Sequence, residues 1–236
     1  MEATIEHVRA LWRSLTNAPE GFTEPLTIVE SDDHRCSPPG WVGIVSIADA
    51  VVVSSPQSHV EHVQGTLRQL EPAALANPLH VERALTHEGK LGPALLFYAH
   101  TRPGTRSGVV SAVDMDDERV RKVISDAAPA EVDEAGLDTD AIGLSLAVDS
   151  DGGPGAICGW HSWPHDVAHM GVLAARASRG TGCGTRAAAH AVGSAIDRGQ
   201  LPQWRAAAAN DASIALARSL GLIEVGWQLS LAPPTS

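Results

Sequence analysis

The sequence predicts a mixed α/β fold in which helices pack against a sheet. Short apolar runs typical of strands alternate with amphipathic helical segments, and in the second half they follow the order β-α-(α)-β-β-β-α-β-α-β. Hydrophobic residues make up 44% of the 236 residues and charged residues 19%, as in a globular protein. This length allows one large domain or two small ones.

The first half of the chain begins with a helix and continues with strands and shorter helices. Apolar residues from Ile5 to Leu15 recur on one helical face. Two β-rich runs meet near residues 48–49 and predict a hairpin. The pattern Ser58-x-x-Glu61 predicts a capping box, and Asn77 before a proline predicts a helix N-cap. The predicted elements are helix 5–15, strand 26–30, loop 31–40, strands 41–47 and 50–53, helices 58–70 and 77–85, and strand 93–100.

A segment rich in Gly, Pro and Ser at residues 102–108 predicts a domain boundary. We therefore expect an N-terminal α/β region over residues 1–105 and a second domain over residues 107–236. In the second domain a turn at 149–154 joins two strands as a hairpin. Its predicted elements are strand 109–113, helix 117–127, a short helix or turn at 129–136, strands 141–148, 155–163 and 167–175, a helix from about 184 to 198, strand 204–208, helix 212–220 and strand 224–231.

Charge and composition restrict the classes of partner. The net charge of −11 argues against non-specific nucleic-acid binding, which draws its affinity from Lys and Arg. It does not exclude a small anion held by backbone N–H groups. No apolar stretch approaches the roughly 20 residues of a membrane helix, and the acidic start does not resemble a signal peptide. Three widely spaced cysteines fit a reducing compartment, so we expect a cytoplasmic protein with no membrane partner.

The strongest local signal is the segment 179–185, Arg-Gly-Thr-Gly-Cys-Gly-Thr, between an apolar strand and a long helix. Glycines let the backbone approach a ligand, and a helix start offers unpaired N–H groups, so the segment predicts a phosphate cradle. The alternative is a glycine-rich turn without a ligand. A P-loop would need Gly-Lys-Ser/Thr, and a dinucleotide fold would need a glycine where Thr185 stands.

The spacing Arg-x-x-Gly-x-Gly, met by Arg179, Gly182 and Gly184, resembles the pyrophosphate-binding motif of the Gcn5-related N-acetyltransferase (GNAT) superfamily. A strand that ends at Asn210 and a later Leu-Gly-Leu at residues 220–222 agree with this resemblance. It covers about residues 107–231. The resemblance implies a mostly antiparallel sheet whose central strands splay apart and are flanked by helices.

The resemblance further implies an enzyme that moves an acetyl or other acyl group from acetyl-CoA to a primary amine. Backbone groups of the strand before the loop would pair with pantetheine and point one N–H at the thioester carbonyl, and the loop would bind pyrophosphate. Asn210 would reach the pantetheine or the reactive end. The implied binding residues are Val172, Leu173, Ala174, Arg179, Gly180, Thr181, Gly182, Cys183, Gly184, Thr185 and Asn210.

Two positions depart from the family pattern. Arg176 stands where a proline is frequent, and Ala217 stands where a tyrosine often protonates the leaving thiolate. The second departure keeps open an alternative function, a non-catalytic acyl-CoA-binding regulatory or partner module. A different acyl donor on the same fold, such as an aminoacyl carrier, is a third possibility that the low basic content disfavours.

A general base must take a proton from the amine, and histidine has a suitable pKa. We predict His169 or His161 as this catalytic base, with His165 and Asp166 as further candidates. For each of these residues the alternative is an ordinary core or surface role. The two tryptophans of the segment 160–164 are expected to pack in the core, although they could also line an acceptor pocket.

Other polar clusters have simpler explanations. Asp32, Asp33, His34 and Cys36 lack the spacing of a ligand set, so we expect a solvated loop and no metal. The acidic run 114–118 is expected to complement a helix dipole. The resemblance implies a small-molecule or peptide amine as the acceptor and allows a homodimer. The first half could be a degenerate copy of the same fold.

Overall fold

The computed structural model describes residues 2–104 and 106–234. Over these residues the helices and strands are α1 (Glu2–Thr16), β1 (Leu26–Glu30), β2 (Val42–Ile47), β3 (Ala50–Ser55), α2 (Val60–Leu67), α3 (Pro72–Leu75), α4 (Pro78–Ala84), β4 (Gly89–Tyr98), β5 (Val110–Ala112), α5 (Glu118–Asp126), α6 (Pro129–Ala135), β6 (Ile142–Val148), β7 (Pro154–Trp163), β8 (Val167–Ala174), α7 (Cys183–Asp197), β9 (Leu201–Ala207), α8 (Asp211–Ser219) and β10 (Ile223–Ala232).

The chain divides into two compact units. The first contains the described residues of Met1–Leu96, Ala206–Asn210 and Glu224–Ser236, and the second contains Phe97–Arg205 and Asp211–Ile223. The first unit therefore consists mainly of the N-terminal part of the chain, and two segments near the C-terminal end of the chain also belong to it.

In the first unit the strands follow the order β1-β3-β2-β10-β4. β2 and β3 form the antiparallel hairpin that the sequence predicts, with Ile47 opposite Ala50. β1 pairs with β3 in parallel, and β10 pairs with β2 antiparallel. Apolar residues of α2 and α4, among them Val63 and Val81, pack with the strands to form the core of this unit.

In the second unit the strand order is β9-β8-β7-β6-β5. The pairs from β5 to β8 are antiparallel, and β8 pairs with β9 in parallel. Val120 and Val123 of α5 pack on one face of the sheet, in a cluster with Leu146. The neighbouring residue Ser145 turns to the opposite face, where its hydroxyl lies 2.8 Å from His190 Nδ1 of α7. Helices therefore cover both faces.

The mixed α/β class, the mostly antiparallel sheet and the order of elements in the second half are confirmed. The Asn77 cap is confirmed as well, since its side chain accepts from the N–H of Leu79 at 3.0 Å. The capping box at Ser58 is wrong, because α2 starts at Val60 after His59 and has no side-chain cap. β9 starts earlier than predicted, at Leu201.

The loop 31–40 is only partly solvated, which corrects the sequence-based expectation. His34 and Cys36 are 6% and 3% exposed, and the Cys36 Sγ lies 3.3 Å from His34 Nδ1. Burial raises the pKa of the Cys36 thiol to about 12. Asp33 accepts instead from Asn17 Nδ2 at 2.9 Å. These side chains stabilise the loop through separate partners.

Gly143 makes room for the buried indole of Trp160. Its φ is +60°, and a Cβ there would lie 1.9 Å from the Trp160 ring. We expect Gly143→Ala to lower the free energy of unfolding by about 2–3 kcal/mol, because overpacking adds to backbone strain. Gly136→Ala is the matched control, since Gly136 has the same φ and no atom within 4 Å of the added Cβ. Urea denaturation measures the free energy of unfolding of both variants, and the difference between them reports the clash with Trp160. Equal losses of stability in the two variants would contradict this prediction.

Candidate functional site

β8 and β9 run side by side over three residue pairs only. Their parallel register extends from Val167 opposite Leu201 to His169 opposite Gln203. β8 continues to Ala174, and over that length it remains paired with β7. Among the described residues, β8 beyond His169 therefore has a paired strand on its β7 side alone. Its other edge is open, as the predicted splay of the central strands requires.

The alternation of backbone hydrogen bonds determines which groups of β8 lie on the open edge. The N–H of Ala175 donates to Gly155 on the β7 side at 2.9 Å, whereas the carbonyl of Asp166 accepts from Leu201 of β9 at 2.8 Å. Because successive residues of a strand face opposite neighbours, the N–H and C=O groups of Val172 and Ala174 point to the β9 side. The backbone of Leu173 points to β7, and its side chain is buried.

Glycines shape the connection from β8 to α7. After the 3₁₀ turn Arg176–Ser178, Gly180 and Gly182 have φ values of +74° and +84°. This left-handed backbone is strained for other residues, so glycine is the residue that the turn requires. Gly182 immediately precedes α7. The glycine-rich segment thus leads the end of β8 directly into the helix N-terminus.

Several backbone N–H groups of this segment have no backbone acceptor among the described residues. Those of Arg179, Thr181 and Arg186 donate to carbonyls within the turn. The groups without such an acceptor belong to Gly180, Gly182, Cys183, Gly184 and Thr185.

The surface over these donors is open to a ligand. A Cβ added at Gly180 or Gly184 would meet no atom within 4 Å. Unpaired N–H groups, the positive end of a helix dipole and an unobstructed approach together fit an anionic group such as a pyrophosphate.

The side chains around the loop are largely held by the protein. Arg179 donates to the Glu131 carboxylate of α6 at 2.8 Å, and this hydrogen bond lowers the pKa of Glu131. Cys183 is 0% exposed, backbone included, so the open surface is formed by its neighbours and not by Cys183 itself. The Arg186 guanidinium donates to the carbonyl of Val148 at 2.8 Å. Arg176 stands where the family pattern often has a proline, and its backbone N–H donates to the Asp126 carboxylate.

His169 lies where β8 and β9 part. Its Nδ1 is 2.9 Å from the side-chain oxygen of Gln203, and its ring stacks on Trp163 with centroids 4.3 Å apart. The pKa of His169 is lowered to about 4, mainly by burial and also by the positive charge of Arg205, while the hydrogen bond with Gln203 opposes the shift. The imidazole is therefore neutral at pH 7.

This lowered pKa makes stability depend on pH. Between pH 6.5 and 4 the unfolded chain protonates His169 while the folded chain does not, so stability is lost as the pH falls. From pH 7 to 5 we expect this residue to cost about 2 kcal/mol of the free energy of unfolding. Urea denaturation at both pH values, with His169→Asn for comparison, isolates its share. An equal pH dependence of both proteins would contradict the expectation.

His161 lies opposite His169 in the register of β7 and β8. Its Nε2 is 2.7 Å from the carbonyl of Gly136 and 3.5 Å from Asp138 Oδ1. A carbonyl only accepts, so this nitrogen carries a proton and is not available as a base. His165 and Asp166 form the turn between these two strands, both with positive φ.

The two tryptophans of this region have different environments. Trp160 is fully buried, and its indole N–H donates to Gln200 at 2.7 Å, so it belongs to the core as expected. Trp163 is half-buried and stacks on His169. Sequence reasoning missed Gln203, whose signal was a single amide within the apolar run that begins at Leu201.

Two residues of the family pattern lie outside the β8–α7 segment. Asn210 belongs to the first unit, and its backbone N–H donates to Ala207 at 2.8 Å. Ala217 is fully buried in α8, and it presents no hydroxyl. Within residues 2–104 and 106–234 no helix is long and apolar enough to span a bilayer. The same residues contain no group of three His, Cys, Asp or Glu side chains arranged for a metal ion.

Solved structures of GNAT-family acetyltransferases are similar to this chain. One from Colwellia psychrerythraea is 11% identical with a TM-score of 0.48, and the match covers 63% of this chain and 58% of that one. A GCN5-related N-acetyltransferase from Kribbella flavida is 21% identical, with a TM-score of 0.43 and coverages of 67% and 63%. One from Sphaerobacter thermophilus is 14% identical, with a TM-score of 0.46 and coverages of 82% and 76%.

This chain spans less than two thirds of the Colwellia and Kribbella structures. Comparison with models of known families gives no match, and comparison with curated protein sequences gives none either. The candidate site is therefore defined by this chain's own strand pairing and by its glycine-rich segment.

Proposed function

We propose that the protein transfers an acyl group, in the first instance acetyl, from acyl-CoA to a primary amine. The observation that carries this proposal is the continuity of the open β8 edge with the N–H groups at the start of α7. One segment, residues 172–185, thereby offers donors and acceptors for an amide-bearing arm and then donors for a pyrophosphate.

Each part of the segment has its own task in the proposal. Val172 and Ala174 would pair with the pantetheine amides, and an N–H of this edge would stabilise the negative charge that develops on the thioester oxygen. The backbone of residues 179–185 would hold the pyrophosphate. Acyl-CoA supplies the activated carbonyl, and the protein holds it beside the amine.

His169 is the proposed base. The amine nitrogen forms a bond to the carbonyl carbon, the carbon–sulfur bond breaks, and the imidazole takes the proton that the amine loses. The sulfur leaves as a thiolate and takes a proton from water. This is feasible without a tyrosine at position 217, because a thiol has a pKa of about 8.5. The net charge of −11 favours a cationic amine as the acceptor, which loses one proton to water and then attacks as the neutral amine.

Calorimetric titration tests the proposal at its first step. We expect acetyl-CoA to bind and pantetheine, which lacks the pyrophosphate, to bind at least about 100-fold more weakly, because charge-assisted hydrogen bonds are the strong ones. A folded protein that does not bind acetyl-CoA at millimolar concentration would refute it. Release of free thiol with a panel of amines then tests the transfer.

The alanine at position 217 favours a second candidate function, an acyl-CoA-binding module without turnover. Its side chain has no hydroxyl that could protonate the leaving group. Acetyl-CoA binding without thiol release for any amine would support this alternative. Cytoplasmic location, a homodimer and the division into domains at residues 105–107 remain predictions from the sequence.

A further inference from the structure

Two buried side chains connect His169 to the interior of the second unit. Gln203 is 0% exposed and Tyr98 is 1% exposed. The side-chain oxygen of Gln203 lies 2.9 Å from His169 Nδ1, and its side-chain N–H donates to the Tyr98 hydroxyl oxygen. The proposed function assigns no role to either residue. Both polar ends of the Gln203 amide are used. In this orientation its oxygen faces His169 Nδ1 and its NH2 group faces the Tyr98 hydroxyl.

This orientation determines where the proton of the imidazole lies. An amide oxygen accepts hydrogen bonds and cannot donate them, so His169 Nδ1 must carry the hydrogen. A neutral imidazole has one N–H, and Nε2 therefore keeps its lone pair. The amide of Gln203 cannot take a proton onward, so any proton that His169 accepts enters at Nε2.

The position of the pair in the sheet adds a second argument. His169 and Gln203 form the last pair of the β8–β9 register, so the imidazole stands where the open edge begins. Stacking on Trp163, with an interplanar angle of 20°, restricts the plane of the ring. Hydrogen bond and stacking together fix both the tautomer and the orientation of the ring.

We infer that Gln203 is a positioning residue, which holds His169 as the Nδ1–H tautomer and thereby makes Nε2 the atom that accepts the proton of the amine. The second half of this inference rests on the proposed acyl transfer, whereas the tautomer itself does not. Tyr98 accepts a hydrogen bond from the amide of Gln203 and acts only through that amide.

Other charged or titratable groups also face His169. Arg205 on β9 lies with its guanidinium carbon 6.0 Å from the centroid of the Trp163 ring that stacks on His169. His161 lies across from His169 on β7, with Asp138 beside it. Arg205 disfavours a charged imidazole, and it remains in place in both variants described below. A difference in tautomer or pH profile between those variants is therefore caused by the side chain at position 203.

The test begins with the tautomer in the unmodified protein. Nitrogen-15 NMR at pH 7 is expected to show a protonated Nδ1 and an unprotonated Nε2 for His169, assigned by comparison with His169→Asn. The opposite tautomer would overturn the inference, because it would mean that the amide of Gln203 is turned by 180°. This measurement needs neither acyl-CoA nor turnover.

Two variants of similar size test the positioning role. Gln203→Leu removes the acceptor, and we expect mixed tautomers and a kcat reduced about 10- to 100-fold, with the KM for acetyl-CoA unchanged. Gln203→Glu restores an acceptor, so it should recover the Nδ1–H tautomer. Its carboxylate should also raise the pKa of His169 and shift the acidic limb of the kcat profile upward by about one pH unit or more.

Each result supports or overturns the inference. An unchanged tautomer in Gln203→Leu, or a pH profile in Gln203→Glu identical to that of the unmodified protein, would overturn it. If Gln203→Leu does not fold, the inference is tested by the tautomer of the unmodified protein and by the pH profile of Gln203→Glu. If the unmodified protein shows the expected tautomer but does not bind acetyl-CoA, the proposed function is refuted. The positioning of His169 by Gln203 is then still supported.

Discussion

Gly182→Val is expected to weaken acetyl-CoA binding by about 100-fold or more. Gly182 has a φ of +84°, which a β-branched residue reaches only with strain, so the turn must rearrange. Rearrangement moves the N–H groups at the start of α7 away from the pyrophosphate. Loss of two charge-assisted hydrogen bonds of about 1.5–3 kcal/mol each accounts for this factor. Calorimetric titration measures it.

Gly199→Val provides the matched control for this prediction. Gly199 follows the other end of α7, has a φ of +77° and has no atom within 4 Å of an added Cβ. The backbone strain is therefore similar, but the glycine-rich segment is untouched. We expect a comparable loss of stability and unchanged affinity. Equal affinities of both variants for acetyl-CoA would exclude the segment 179–185 as the pyrophosphate site.

His169→Asn is expected to lower kcat by about 10²- to 10⁴-fold, the usual contribution of a general base. The KM for acetyl-CoA should change little, because the imidazole acts on the amine. The amide of asparagine is smaller than the imidazole, but it is polar and uncharged like the neutral ring, which limits structural damage. Steady-state thiol release with an amine that the protein accepts gives both constants.

Two further histidines make this second prediction specific. His161→Asn tests the competing candidate, and we expect a decrease of less than about 10-fold because its Nε2 already donates to Gly136. His190→Asn on α7 is the control, since this residue bonds Ser145 on the opposite face of the sheet. A larger loss in His161→Asn than in His169→Asn would assign the base to His161.

Local signals in the sequence predicted much of the fold. The hairpin of β2 and β3, the N-cap at Asn77 and the glycine turn before α7 each depend on a few neighbouring residues. Ser58 shows the limit of such signals. Its spacing to Glu61 matches a capping box, yet α2 begins at Val60, where buried Val60 and Val63 join the core. Packing, rather than the cap, determines that helix start.

The central part of the candidate site depends on long-range contacts. Gln203 and Tyr98 are 105 residues apart in the chain, and Gln203 and His169 are 34 residues apart. No periodicity records which strands become neighbours or where two neighbours separate. The sequence could therefore indicate His169 as a candidate base, whereas its hydrogen-bond partner and its place at the end of the β8–β9 pairing required the structure.

The ion pair between Arg179 and Glu131 gives the loop an internal counter-ion. An anion that recruits the Arg179 guanidinium must compete with a carboxylate of the same chain. The pair is partly exposed, with side-chain exposures of 46% and 37%, and such surface pairs contribute little to stability. The competition therefore lowers the affinity for the anion only slightly. In return, the arginine is kept beside the loop in the free protein, and its charge is partly neutralised until a stronger anion replaces Glu131.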